Sequence, residues 1–184
     1  MKKIFIFVIC LLFVCQIIFS QTNEEEIMLI FGPRVGVSFI ILDQKDFNAE
    51  MQKIFGSENE YYPFFSELGL TIQQLIPLKG SNSYLSFYEL FSLGGMDQNM
   101  ALPSFNFLIG YKHRLGFEFA IGPYFTIFDN SGKLKMDFSL TYMLGWSLIN
   151  STYSVPINLM FIPYPSYGNP RFTLTVGINF NIKD

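Results

Sequence analysis

A chain of 184 residues is one domain's worth. Its 12 basic against 15 acidic side chains provide no basic excess with which to hold a nucleic acid. One histidine and two cysteines leave metal-ligand and thiol chemistry with little material.

Met1 to Ser20 carries a short basic start (Lys2, Lys3), an unbroken apolar run from Ile4 to Cys15, and a small residue, Ser20, ahead of Gln21. That layout predicts a secretory signal peptide cleaved between Ser20 and Gln21. The apolar segment is short for a spanning helix, which needs about 20 residues. Cys10 and Cys15 both lie inside it, so the mature chain has no disulfide framework, thiolate nucleophile or cysteine metal site. Neither cysteine follows the small residue that acylation requires, since Ile9 precedes one and Val14 the other. Cleavage removes two basic residues and no acidic one, leaving a mature formal charge of -5.

Residues 21–28, with Glu24, Glu25 and Glu26, read as a flexible lead-in to a barrel over 29–184. A first strand, Leu29 to Ile41, alternates Phe31, Val35, Val37, Phe39 and Ile41 against Gly32, Arg34, Gly36 and Ser38. Pro33 lacks a ladder donor, so a bulge near Gly32 is expected. Asp43 to Tyr62 breaks the alternation, and Asp46 is read as the cap of a short helix over Phe47 to Phe55. Phe64 to Leu78 and Ser83 to Leu93 are the least regular segments. The second of them also suits a helical turn, but the turn residues Lys79 to Asn82 between the two favour a hairpin.

The remaining strands alternate more cleanly. They are Ser104 to Lys112, Leu115 to Phe128, Lys133 to Ile149 and Tyr153 to Ile162. The last strand, Arg171 to Ile182, sets Phe172, Leu174, Val176, Ile178, Phe180 and Ile182 against Thr173, Thr175, Gly177, Asn179 and Asn181. At about 3.3 Å per residue and a tilt of about 45°, such a strand rises about 25 Å, the height of the apolar band on an outer-membrane barrel. After the leader no apolar run approaches the length of a spanning helix.

Eight strands fit an antiparallel up-and-down transmembrane barrel, because an open sheet in lipid would leave unpaired edge amides. The connections alternate in length: 43–63, 94–103, 129–132 and 163–170 against the tight 79–82, 113–114 and 150–152. That is the parity of a barrel with long outside loops and short periplasmic turns, although the third outside loop is brief.

On these features the mature chain resembles the small eight-stranded outer-membrane barrel proteins along most of its length. The segments Phe31 to Gly36, Gly94-Gly95 and Gly116 to Pro123 look like those of uncharacterised bacterial barrel sequences. The resemblance implies the outer membrane as location, with outer-membrane lipid, the barrel assembly machinery and an unspecified extracellular partner as its contacts. The family's terminal aromatic is not matched here, since Phe180 is followed by Asn181, Ile182, Lys183 and Asp184.

Arg34, Glu67, Glu118 and Asp137 fall on the polar faces, where an eight-stranded barrel is just wide enough for side chains to fill it. Buried charges need partners, so Arg34 paired with Glu118 or Glu67 would form a structural plug. His113, in a tight turn beside Lys112 and Arg114, has no nearby nucleophile or orienting carboxylate and reads as a solvated turn residue. Tyr61, Tyr62, Tyr84, Tyr88, Tyr111, Tyr142, Tyr164, Tyr167 and Trp146 are expected to form an aromatic girdle. No cofactor, metal site or catalytic group is expected. The function expected is non-enzymatic, in envelope structure or surface contact. The rival is a secreted soluble lipocalin-like barrel holding an apolar ligand.

Overall fold

The computed structural model of the chain describes residues 27–55, 58–130, 133–150, 152–163 and 169–182. The expected leader and most of the acidic lead-in lie outside the described residues, as do Tyr164 and Tyr167.

The strands are β1 (Met28–Ile40), β2 (Phe64–Pro77), β3 (Ser83–Gly94), β4 (Leu102–His113), β5 (Phe117–Asn130), β6 (Lys133–Ile149) and β7 (Tyr153–Ile162). They are followed by β8 (Arg171–Gly177) and β9 (Asn179–Ile182), two segments of one closing strand. Each strand runs antiparallel to the next, and β1 pairs with β2 on one side and with β8 and β9 on the other. The sheet therefore has no free edge. It is an eight-stranded, all-antiparallel, up-and-down transmembrane barrel.

Side-chain alternation sets which face meets which medium. On β6 Met136, Phe138, Leu140, Tyr142, Leu144, Trp146 and Leu148 are exposed, while Ser139, Thr141, Met143, Gly145 and Ser147 between them are buried. The same division runs around the wall, with Val35, Leu68, Leu70, Ile121, Leu159, Leu174 and Val176 outward and Ser38, Thr71, Asn106, Asn158 and Thr173 inward. A continuous apolar exterior of this extent has hydrocarbon as its medium. β2 and β3 form the hairpin that their turn residues favoured, closed by Leu78 N–H donating to Ser83 O at 3.0 Å. β3 is a strand throughout, with no helical turn.

The bulge expected at Gly32 is not there. Arg34 pairs with Gly177 and Phe31 with Phe180, so two residues lie between on both strands and the register is unbroken. What Pro33 does instead is remove one donor, and the closing strand is interrupted opposite it at Ile178. Gly122-Pro123 repeats the arrangement, since the β4–β5 pairing is interrupted between Asn106 opposite Tyr124 and Ile109 opposite Ile121, again without a register shift. In both pairs the glycine lets the backbones close up. A Cβ on Gly32 would lie 1.9 Å from Ile178 O, and one on Gly122 would lie 2.0 Å from Phe107 O.

The first connection folds into α1 (Gln44–Phe55). Its cap is Asp43, three residues earlier than the sequence reading placed it: Asp43 Oδ1 accepts from Lys45 N–H at 2.9 Å, leaving Asp46 in the first turn. Phe47 and Met51 on the buried face of α1 pack with Ile40, Tyr61, Phe65, Met100 and Leu102. The helix thus sits across one mouth of the barrel, sealing it with apolar side chains.

If the exterior faces hydrocarbon, a charge at mid-height should be costly. Val35→Arg, at a position 58% exposed, is expected to lower stability by about 2–4 kcal/mol in reversible urea unfolding from liposomes.

Candidate functional site

Among the described residues, two charged clusters occupy the lumen. Toward the α1 end, Arg171 opens β8 with the same inward parity as Thr173, which turns its guanidinium into the barrel. It forms an ion pair with Glu67 from β2 and donates to Tyr124 Oη at 3.1 Å and to Ser38 Oγ at 2.9 Å. Its guanidinium also lies over the Phe65 ring, 5.2 Å from the centroid. Glu67 accepts further from Ser38 at 3.1 Å and Ser92 at 3.3 Å, so both of its oxygens are engaged.

Toward the tight-turn end, Lys112 Nζ lies 3.0 Å from Glu118 Oε2, which also accepts from Tyr88 Oη at 2.8 Å. Ser147 accepts from Lys112 at 3.0 Å and donates to Glu118 Oε1 at 3.3 Å. Gly145 leaves room for the carboxylate, since a Cβ there would stand 3.0 Å from Oε1. Between the clusters Tyr88, Leu90, Leu108, Ala120, Met143 and Met160 pack as an apolar patch.

Of the four polar-face residues named from sequence, Arg34, Glu67 and Glu118 are buried in the lumen. The pairing expected of them is different. Arg34 donates to Asn179 Oδ1 at 2.7 Å and to Pro33 O at 3.1 Å, while the two carboxylates are taken by Arg171 and Lys112. Asp137 stands apart, half-exposed, accepting from Phe138 N–H at 2.8 Å. The sequence reading missed Arg171 and Lys112, although alternation with Thr173 and with Asn106 assigns both to the inward row. The girdle reading also needs correction. Tyr142 and Trp146 are on the exterior, but Tyr61 is buried under α1 and Tyr88 is buried in the lumen.

His113 is half-exposed in its turn, where its Nδ1 accepts from Leu115 N–H at 3.1 Å. With Lys112 and Arg114 it rims a cavity of about 240 Å³ at the tight-turn mouth, whose other walls include Met28, Ile30, Leu75 and Tyr84.

At the opposite end, the connection after β3 turns through a short 3₁₀ segment, Met96–Gln98, laid against the upper edge of β2. β3 ends opposite Glu67, so the backbone of β2 above that point lacks a strand partner there. Gln98 supplies one: it accepts from Tyr62 N–H at 2.7 Å and donates to Phe64 O at 2.6 Å. Asp97 accepts from Ser66 N–H at 3.0 Å and from Ser66 Oγ at 2.6 Å. These residues border an open cleft of about 600 Å³ with Asn59, Glu60 and Asn99. Partial burial alone would raise the Asp97 carboxyl, but the donors from Ser66 outweigh it and hold the pKa below the ordinary 3.8.

No family model matches the chain, and no curated protein matches it. Among solved structures it is similar to Ail, the attachment invasion locus protein of Yersinia pestis, at 12% identity and a TM-score of 0.33, covering 85% of this chain and 99% of that one. The same protein in complex with the heparin analogue sucrose octasulfate matches at 11% identity and a TM-score of 0.36, with the same coverage. Likeness this slight carries no argument about ligand or role, and the barrel assignment rests on the closed pairing and the outward apolar rows.

Two outcomes follow from the polar contacts. Removing one partner of a buried pair leaves the other uncompensated, so Arg171→Met should cost about 3–5 kcal/mol. Adding Glu67→Gln should cost less than the sum of the two single changes, as a double-mutant cycle in urea would read. For Asp97 the folded pKa lies below the unfolded one, so its stabilising contribution is complete above pH 3.8 and is lost as pH falls through the depressed folded value. Limited proteolysis of the 95–101 connection should therefore accelerate only under acid conditions, and Asp97→Asn should flatten that dependence.

Proposed function

We propose that the protein is a non-catalytic barrel of the bacterial outer membrane, exported by its leader. Its role is envelope support or surface contact through the α1 end. One observation carries this reading: apolar rows cover the outside of the wall while the inside is filled by paired charges, hydroxyls and amides. Outer-membrane lipid is the partner that such a wall requires. Export makes the barrel assembly machinery the expected route to insertion.

A lipocalin-like barrel would need the reverse arrangement, an apolar hollow and a charged exterior. Here the buried charges other than Glu89 are inside, and the mouth that a ligand would use is closed by Phe47 and Met51 of α1. The long connections at the α1 end are the surface offered to an extracellular partner, with the cleft beside Tyr62 and Asp97 as its most open feature.

The mature sequence has no cysteine, so single cysteines report sidedness cleanly. Lys45→Cys on α1 should react with a membrane-impermeant maleimide on intact cells. Arg114→Cys should react only after the outer membrane is permeabilised. Labelling of Arg114→Cys alone would invert the orientation, and equal labelling of both in a soluble fraction would reject the membrane placement.

A further inference from the structure

Among the described residues the lumen holds one more buried cation than its buried carboxylates can pair. The buried inward charges are Arg34, Lys112 and Arg171 against Glu67 and Glu118. Glu89, also buried, lies on the outer face by alternation, opposite Phe107. Lys112 and Arg171 take the two carboxylates. Arg34 has only neutral acceptors, Asn179 Oδ1 and Pro33 O, at its two terminal nitrogens, and its Nε meets no protein group. A buried cation without a contacting carboxylate is costly, so a counter-charge at this point would stabilise the barrel.

The surroundings of Arg34 have the chemistry of such a site. A cavity of about 20 Å³ has Arg34, Glu67, Thr71, Ser92, Asn106 and Thr175 as its polar lining, with Leu90 and Met160 among its apolar walls. The hydroxyls of Thr71 and Thr175 are buried and, like Arg34 Nε, meet no protein partner. Three groups able to donate thus border one void. Glu67 does not spoil it for an anion, because that carboxylate is already engaged by Arg171, Ser38 and Ser92.

We propose that this void is a binding site for a single monatomic anion of the halide class, held by Arg34 Nε and the hydroxyls of Thr71 and Thr175. Size restricts the ligand: about 20 Å³ takes one water-sized species, which leaves out phosphate, sulfate and carboxylates. The mouth that α1 does not cover is the tight-turn one, where His113 and Arg114 rim the 240 Å³ cavity. The proposal holds whichever membrane the barrel occupies.

Bromide is the probe. Crystals of the mature protein soaked in sodium bromide should show an anomalous peak within hydrogen-bonding distance of Arg34 Nε. Thermal unfolding in detergent should shift upward and saturably with bromide relative to sodium gluconate at equal ionic strength. Arg34→Gln should abolish both signals. Thr175→Val, which keeps shape and removes one hydroxyl, should retain the fold and weaken the bromide response by about tenfold, the loss expected for one hydrogen bond of about 1.4 kcal/mol. A water with no anomalous signal at that position, or identical unfolding in bromide and gluconate, would overturn the proposal. So would an undiminished bromide response in a folded Thr175→Val protein.

Discussion

Hydrocarbon offers no hydrogen bonds, and most of this architecture answers that constraint. Each backbone amide in the wall must find its partner within the sheet, which is why β1 returns to pair with the closing strand and no edge is left. The two Gly-Pro pairs mark the limit of tolerance. Pro33 and Pro123 each delete a donor, yet register is held across both gaps, and the adjoining glycines let the neighbouring carbonyls come close.

Closure creates a second problem, since the polar faces are now locked inside a space too narrow for bulk water. The lumen answers with compact clusters in which one charge pair recruits several hydroxyls: Arg171 and Glu67 with Ser38, Ser92 and Tyr124, and Lys112 and Glu118 with Ser147 and Tyr88. The clusters tie strands that are distant around the wall, so they also fix its cross-section. The two ends differ in kind, one sealed by a helix over apolar side chains and the other an open, basic-rimmed cup.

Alternation made the wall legible in the sequence, because a period of two assigns every residue to a face once one strand is placed. It found the strands and their order, and it put Arg34, Glu67 and Glu118 inside. Pairing was not legible, because which carboxylate meets which cation depends on strand tilt and side-chain reach. Arg171 reaches Glu67 across 104 residues of sequence. The tyrosines misled for a related reason. A phenol suits a membrane interface, but in Tyr88 it suits equally well a carboxylate inside the lumen. The helix cap shifted from Asp46 to Asp43 because both residues precede the same apolar row, and only backbone geometry separates them.

Trp146 is the one tryptophan, exposed on the exterior of β6 between Leu144 and Leu148. Its fluorescence therefore reports directly on what the apolar rows touch. In vesicles, phospholipids brominated along their acyl chains should quench it strongly, and aqueous iodide should quench it hardly at all. Quenching by iodide with no effect of the brominated chains would mean that water, not lipid, surrounds the barrel.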